Sequence, residues 1–286
     1  MVVTSAGSIR GGAILSDCAL RAGDGGGIVG LLTGKVAVVT GSSSGIGRAT
    51  AELFAAEGAA VVVNSVRSYE EGRAFAANLP DAVYVQADVS NPHQARAVVD
   101  AAVERWGRLD VVVNNAGGAD LVDHRDLAGL TEEIWRRNLD LNLMSAWYVS
   151  SAAIPVMQAG GGGSIVNITS LAGVHPTGSG SCIAYGVAKA GVNHLTVLLA
   201  NAFGEDGIRV NALAVGAVET PIWKSNRDVL RSHAEKSTLL RRAGQASEIA
   251  QSCLMLAIPG YVTAQVLIVD GGMRFRVPRS SKPVVS

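Results

Sequence analysis

Short runs of apolar, mostly β-branched residues recur along the chain and alternate with longer stretches in which apolar residues are spaced three and four apart. The short runs predict strands, and the longer stretches predict amphipathic helices. The predicted strands are Val36–Thr40, Ala60–Asn64, Ala82–Ala87, Leu109–Val113, Ser164–Thr169, Ile208–Leu213 and Gln265–Val269. The predicted helices are Ile46–Glu57, Tyr69–Asn78, Pro92–Trp106, Thr131–Gln158, Ala184–Phe203 and Ser247–Ala257.

The alternation of strands with helices predicts an α/β fold with parallel strands, because each parallel pair needs a crossover connection, usually a helix. The continuous apolar character of Val36–Val39 and Val111–Val113 is typical of strands that are covered on both faces. We therefore expect a single doubly wound domain at residues 34–273, with a seven-stranded parallel sheet flanked by helices. Residues 1–33, rich in Gly and Ala, are expected to form a flexible extension, and residues 274–286 a C-terminal tail.

Composition narrows the classes of partner. Lys plus Arg number 24, and so do Asp plus Glu, so the chain has no net positive charge that would attract nucleic acid or an anionic membrane surface. No apolar run approaches the roughly 20 residues that span a bilayer. The three cysteines, Cys18, Cys182 and Cys253, are far apart and lack the spacing of a metal site or disulfide framework. We expect a cytoplasmic protein with a small-molecule partner and no metal.

Three glycines, Gly41, Gly45 and Gly47, lie between the first predicted strand and the first predicted helix. In that position glycines let the backbone approach a pyrophosphate, and the helix N-terminus attracts its charge. The turn, which also contains Ser43, Ser44 and Ile46, predicts a Rossmann-like nucleotide-binding unit. Its TGxxxGxG spacing resembles the short-chain dehydrogenase/reductase family, and the resemblance extends from Leu32 to Met273.

The resemblance implies a nicotinamide cofactor and further residues that bind it. Asp88-Val89 resembles the pair that borders the adenine, and Asn114-Asn115-Ala116-Gly117 resembles the NNAG motif beside the cofactor. After the sixth strand the resemblance adds three residues, of which the last matches the threonine that contacts the nicotinamide amide: Gly216, Val218 and Thr220. The chain departs from the family at Val215, which stands where proline is usual and brings an additional N–H group.

The end of the second strand bears on the choice between NAD and NADP. In dinucleotide-binding folds an acid there binds the ribose 2′-hydroxyl and favours NAD. Ser65 occupies that place, and Arg67 follows two residues later. Because no carboxylate repels a 2′-phosphate and an arginine is near, we expect NADP to be preferred over NAD. Glu70 and Glu71 lie close enough to oppose this preference.

Tyr185 and Lys189 are four residues apart in a predicted helix, so their side chains share one face. A nearby ammonium favours the phenolate and draws the phenol pKa down from its reference value of about 10. This suits a group that exchanges a proton with the oxygen of a carbonyl or alcohol. The resemblance implies that Tyr185 transfers the proton, that Lys189 also holds the nicotinamide ribose, and that Ser170 hydrogen-bonds the substrate oxygen.

The family's fourth catalytic residue is an Asn in the long helix after the fourth strand, where it holds a water in a proton relay toward the Lys. Asn138 and Asn142 are both candidates. An Asn-Leu pair seven residues after the Trp fits the family pattern, and counting from Trp135 selects Asn142. Either amide could otherwise lie on the helix surface, as Asn commonly does.

The resemblance implies a ketoreductase or alcohol dehydrogenase, with a 3-oxoacyl thioester reductase among the options. It also implies a homo-oligomer, tetramer or dimer, and a lid over the substrate at Ile222–Ser237. Acyl thioesters, steroids, sugars and cyclic ketones all remain open as substrates. Two other functions stay under consideration, since a fold does not prove an activity: a regulator that binds NADP without turnover, and a lyase or epimerase that uses a bound cofactor.

Overall fold

The computed structural model describes residues 30–119, 126–176 and 183–275. The predicted extension up to residue 29, the tail from residue 276 and residues 177–182 of the loop after Ser170 lie outside the described residues. Leu32, the first buried residue among those that the structure describes, donates its backbone N–H to the Glu57 carbonyl at 2.9 Å. This part of the predicted extension therefore packs on the domain, and the boundary at residue 33 stays a prediction.

The predicted sheet of seven parallel strands is confirmed, and its strand order is β3-β2-β1-β4-β5-β6-β9. Their bounds are β1 Val36–Val39, β2 Ala60–Ser65, β3 Ala82–Gln86, β4 Val111–Asn114, β5 Gly163–Ser170, β6 Ile208–Val215 and β9 Val266–Val269. Two short strands that the sequence did not reveal, β7 Val218–Glu219 and β8 Gly244–Gln245, pair with each other beside this sheet.

Helices cover both faces of the sheet. Their bounds are α1 Gly45–Ala56, α2 Tyr69–Ala77, α3 Pro92–Trp106, α4 Glu132–Leu139, α5 Ser145–Ala159, α6 Ile183–Phe203, α7 Arg227–Ser237 and α8 Ala246–Ala257. Side chains alternate along each strand, so Ala37 and Val39 pack with α1, α2 and α8, while Val36 and Val38 pack with α3, α5 and α6. The chain thus buries two apolar layers around a doubly wound sheet.

The predicted helix Thr131–Gln158 is not continuous. The structure places a π-helical turn, Asp140–Met144, between α4 and α5. A π turn accommodates one extra residue in a helix, and neither Gly nor Pro is needed to form it, so the sequence gives no signal for it. Such turns frequently occur at functional sites, and this one contains Asn142.

The predicted lid, Ile222–Ser237, begins within a 3₁₀ turn, Pro221–Trp223, and contains α7. Helix α6 with the turn after it, Ile183–Asp206, is long and apolar enough by composition to cross a bilayer. One side of α6 packs on β5 and β6 and buries apolar side chains such as Leu199. A core helix of a globular domain meets the same length and hydropathy criteria.

The strand order reverses between β1 and β4, which are neighbours in the sheet. At such a switch point the connections after the two strands leave toward opposite faces and open a crevice at the carboxyl edge. The glycine-rich turn follows β1, the Asn115–Gly117 segment follows β4, and Ser170 ends β5. The predicted site residues therefore converge on one edge of the sheet.

Candidate functional site

The glycine-rich turn has a backbone that only glycine adopts easily. Gly41 and Gly45 have φ angles of +61° and +57°, in the left-handed region. Gly47 has no room for a side chain, because a Cβ there would lie 2.5 Å from the Gly41 carbonyl oxygen and would also overlap the Asn115 amide. The turn and the first helix can approach each other, and a bound pyrophosphate, only with hydrogen at these positions.

Helix α1 begins at this turn. Ser44 is its N-cap residue with extended backbone, and no side chain in the described ranges caps the helix there. Backbone N–H groups of the first turn therefore remain to bind an anion. A Cβ at Gly45 would lie 3.6 Å from the Thr220 side chain, so the segment after β6 reaches the same end of α1. These features fit the phosphates of a dinucleotide.

Asn115 joins the turns that follow β1 and β4 across the switch point. Its amide nitrogen donates to the carbonyls of Thr40 at 2.9 Å and Gly41 at 3.1 Å. The Thr40 hydroxyl in turn accepts the backbone N–H groups of Asn115 at 3.0 Å and Ala116 at 2.9 Å. These bonds fix the floor of the crevice. Thr40 is the threonine of the TGxxxGxG pattern, but it was not among the residues predicted to form the site.

The end of β2 carries no carboxylate. The buried Ser65 hydroxyl lies 2.8 Å from the Tyr84 hydroxyl and 3.2 Å from the Ser68 carbonyl, while Arg67 is exposed. Farther along the same edge, the Asp88 carboxylate accepts both the backbone N–H and the hydroxyl of Ser90. The Ser65 side chain therefore points into the protein, and the Arg67 side chain, two residues later, lies at the surface.

Lys189 is buried at 5% exposure beneath the crevice. Its ammonium donates to the Ile168 carbonyl at 2.9 Å and lies 5.7 Å from the centroid of the Tyr185 ring. Burial disfavours the charged form and lowers the pKa of Lys189 to about 8. The predicted pair therefore shares one helix face, and its ammonium can lose a proton within an ordinary working range of pH.

Ser170 ends β5, two residues after the carbonyl that holds Lys189. Its Oγ accepts the backbone N–H of Ala172 at 3.2 Å, which leaves its own hydrogen available for a further acceptor. The nearby loop histidine, His175, is exposed and places Nδ1 2.8 Å from the Pro176 carbonyl oxygen. Ser170 therefore presents, at the end of β5, a hydroxyl whose hydrogen is available.

Asn142 lies at the point where three elements meet. Its Nδ2 donates to the carbonyls of Gly118 at 2.8 Å and Asn138 at 2.9 Å, and its Oδ1 accepts the Gly118 N–H at 3.2 Å. A Cβ at Gly117 would lie 2.8 Å from Asn142 Oδ1 and 3.2 Å from Lys189 Nζ. The π turn, the segment after β4 and α6 therefore touch at one place.

Asn138, the other candidate amide, is directed away from this point. It is buried at 2% exposure and donates from Nδ2 to the Ile134 carbonyl one turn earlier, at 2.9 Å. Its Oδ1 has no hydrogen-bond partner among the described residues. Of the two amides, Asn142 is the one beside Lys189.

The segment after β6 also borders the crevice. Val215, which stands where the family usually has proline, continues β6 and pairs with Ser170 on β5 and Val269 on β9. A Cβ at Gly216 would lie 2.8 Å from Asp270 Cα, so this position needs glycine. Val218 is buried at the start of β7. The substitution of valine for proline thus extends the strand and leaves the close approach at Gly216 in place.

Replacing Gly47 with Ala is expected to weaken binding of a dinucleotide cofactor by at least about tenfold, because the added methyl would separate α1 from the glycine-rich turn. Fluorescence titration of the cofactor measures the change. Gly204→Ala is the matched control, since a Cβ there meets nothing within 4 Å. Equal affinities for both variants and the unaltered protein would contradict this account of the turn.

Comparison with known proteins identifies the family of this chain. A family model described as enoyl-(acyl carrier protein) reductase matches residues 41–274. The "Granaticin polyketide synthase putative ketoacyl reductase 2" of Streptomyces violaceoruber is 50% identical over 240 residues, which are 83% of this chain and 95% of that protein. The 3-oxoacyl-[acyl-carrier-protein] reductase FabG of Chlamydia trachomatis is 38% identical over 251 residues, 85% of this chain and 99% of that protein.

A solved structure shares the architecture. It is named "a putative short-chain alcohol dehydrogenase from Sinorhizobium meliloti 1021", and it matches with a TM-score of 0.78 at 31% identity over 86% of this chain and 98% of that one. Sequence and structure agree over nearly the whole length of these proteins. The chain belongs to the short-chain dehydrogenase/reductase family and is a nicotinamide-dependent oxidoreductase that acts on carbonyl and secondary alcohol carbons.

Proposed function

We propose that this protein is an NADPH-dependent reductase of 3-oxoacyl thioesters, in which Ser170, Tyr185 and Lys189 are catalytic and Asn142 positions them. The observation that carries the proposal is the buried Lys189 ammonium beside the Tyr185 ring at the carboxyl edge of the sheet. The substrate class is supported by the two relatives named as ketoacyl and 3-oxoacyl-[acyl-carrier-protein] reductases.

NADPH, when bound, would supply the hydride. The chain's own residues stabilise the negative charge that develops on the substrate oxygen. The Ser170 hydroxyl, which has its hydrogen available, donates to that oxygen and orients the carbonyl. Tyr185 gives the oxygen its proton as general acid, and in the reverse reaction it takes the proton back. The phenolate that remains is stabilised by the Lys189 ammonium on the same helix face.

Lys189 acts through its charge and through its place in the helix. With a pKa of about 8, its amine is largely protonated at neutral pH. The family resemblance also assigns it the nicotinamide ribose. Asn142 acts from the other side, because all three of its amide hydrogen bonds are made to backbone, two of them to Gly118. Its side chain thus holds the Gly117–Gly118 backbone against Lys189.

The preference for NADP is supported by charge at the end of β2. Ser65 directs its hydroxyl toward Tyr84 and Ser68 and presents no negative charge to a 2′-phosphate. The exposed Arg67 guanidinium can bind that phosphate with two hydrogen bonds. Arg67, two residues after the end of β2, is therefore the arginine that we assign to the phosphate.

We also propose a cytoplasmic homo-oligomer. Three large apolar side chains are exposed on the outer surface of α5 and α6: Trp147 at 41%, Val187 at 49% and Leu198 at 53%. Contact with a second copy would remove them from water. A family tetramer is commonly built by the Tyr-bearing helix together with the last strand, and Val187 and Leu198 lie on that helix.

The test of this function is a steady-state assay of NADPH and NADH oxidation with acetoacetyl thioesters, cyclic ketones and a matched enoyl thioester. We expect NADPH with the 3-oxoacyl thioester to give the highest kcat/KM. Preference for the enoyl thioester would replace carbonyl reduction by reduction of the conjugated double bond. Cofactor binding without turnover would indicate a regulator, and product without net NADPH consumption would indicate a lyase or epimerase.

Tyr185→Phe should lower kcat by a factor of at least about 100, the usual scale of acid–base assistance, because it removes the proton donor and keeps the ring. The dissociation constant of NADPH should stay close to that of the unaltered protein. Tyr148→Phe on α5 is the control and should keep normal turnover. A Tyr185→Phe enzyme with near-normal kcat would remove this phenol from the mechanism.

Ser65→Asp should shift preference from NADPH toward NADH, because the new carboxylate repels a 2′-phosphate and can bind the ribose hydroxyls. The ratio of kcat/KM for the two cofactors measures the shift. Ser65 is buried, so the exposed Arg67→Gln is the companion variant and should weaken NADPH without affecting NADH. If the ratio stays unchanged in both variants, the ribose pocket lies elsewhere.

A further inference from the structure

Four polar side chains are buried together between the sheet and helices α5 and α6. Asn114 is 6% exposed, and the other three are fully buried: Ser150, Asn167 and Thr196. We call this set the amide ladder. Burying polar groups in a core costs free energy unless they are hydrogen-bonded, so the hydrogen-bond partners of these four side chains determine what the set can contribute.

The amide ladder is connected by direct hydrogen bonds. Asn114 Nδ2 donates to Asn167 Oδ1 at 2.8 Å and to Ser150 Oγ at 3.0 Å. Asn167 Nδ2 donates to Thr196 Oγ1 at 2.9 Å. The Thr196 hydroxyl then donates to the Val192 carbonyl, one turn earlier in α6, at 2.9 Å. A continuous path of hydrogen bonds therefore runs from β4 through β5 into α6.

Each member lies close in sequence to a part of the active site. Asn114 is the last residue of β4 and directly precedes the segment that crosses the switch point. Asn167 precedes Ile168, whose carbonyl accepts the Lys189 ammonium. Thr196 lies seven residues, about two helical turns, after Lys189, so the two side chains share one face of α6.

We infer that the amide ladder is a positioning device that fixes the height and rotation of α6 against β4 and β5, and thereby the place of Tyr185 and Lys189 over the cofactor. Apolar contacts between α6 and the sheet are non-directional and tolerate small shifts of the helix. Hydrogen bonds between side chains are directional and define a single register. The inference rests on the proposed roles of Tyr185 and Lys189.

A role in stability alone explains the amide ladder less well. Asn114 Oδ1 has no hydrogen-bond partner in the part of the chain that the structure describes. A buried acceptor without a partner is unfavourable, and apolar side chains of similar size would fill the same space without that penalty. The polar ladder is therefore better explained by the geometry that it imposes than by the free energy of unfolding.

The test uses Thr196→Val, which removes the hydroxyl at nearly constant volume, and Thr196→Ser, which restores it. Thr196→Val should lower kcat by roughly 10- to 100-fold, the effect of a small misplacement of reacting groups, while NADPH affinity changes by less than about twofold. Thr196→Ser should recover most of the kcat. Ser164→Ala is the matched control, because it removes one buried hydrogen bond, to the Leu256 carbonyl, at the opposite end of β5.

A Thr196→Val enzyme that loses as much thermal stability as Ser164→Ala but keeps normal kcat would overturn the inference. So would a parallel loss of kcat and NADPH affinity, or a serine variant that fails to recover activity. If Thr196→Val does not fold, Ser150→Ala removes another member and must show the same selective loss of kcat. Tyr185→Phe, assayed alongside, distinguishes failure of this inference from failure of the proposed function. Normal turnover of Tyr185→Phe would refute the proposed function.

Discussion

The burial of one ammonium group is the constraint on which the rest of the site depends. Lys189 is almost completely removed from water, so its charge must be compensated by protein groups. The structure supplies the Ile168 carbonyl and the Tyr185 ring, and it places hydrogen rather than a side chain at Gly117. Burial lowers the pKa of Lys189 to about 8, so the amine still carries its charge beside the phenol at neutral pH but loses its proton in mildly alkaline solution.

The doubly wound sheet brings together groups that are distant in sequence. The turns after β1 and β4 are joined by Asn115 and the Thr40 hydroxyl. The end of β5 supplies Ser170 and the carbonyl beneath Lys189. Because all these strands are parallel, their carboxyl ends form one edge, and a cofactor bound there would lie beside both the glycine-rich turn and the Tyr185/Lys189 pair.

Much of this arrangement could be predicted from the sequence. Strands buried on both faces are continuous apolar runs, and the Tyr185/Lys189 pair has helical spacing directly after a predicted strand. The features that could not be predicted are tertiary. Pro155 lies inside α5 without ending it, whereas the helix is interrupted instead at Asp140–Met144, where no Gly or Pro occurs. In the sequence nothing distinguishes Asn167 and Thr196 from surface polar residues. Only the fold shows that they are buried between the sheet and α6 and hydrogen-bonded to each other.

The pH dependence of kcat/KM for carbonyl reduction tests the central claim most directly. If the buried ammonium supports the proton donor, kcat/KM should fall above a pH of about 8, as Lys189 loses its proton. Lys189→Arg, whose guanidinium stays charged, should move that decline to much higher pH in whatever activity remains. A decline at the same pH in both enzymes, or a flat profile in the unaltered one, would contradict the account.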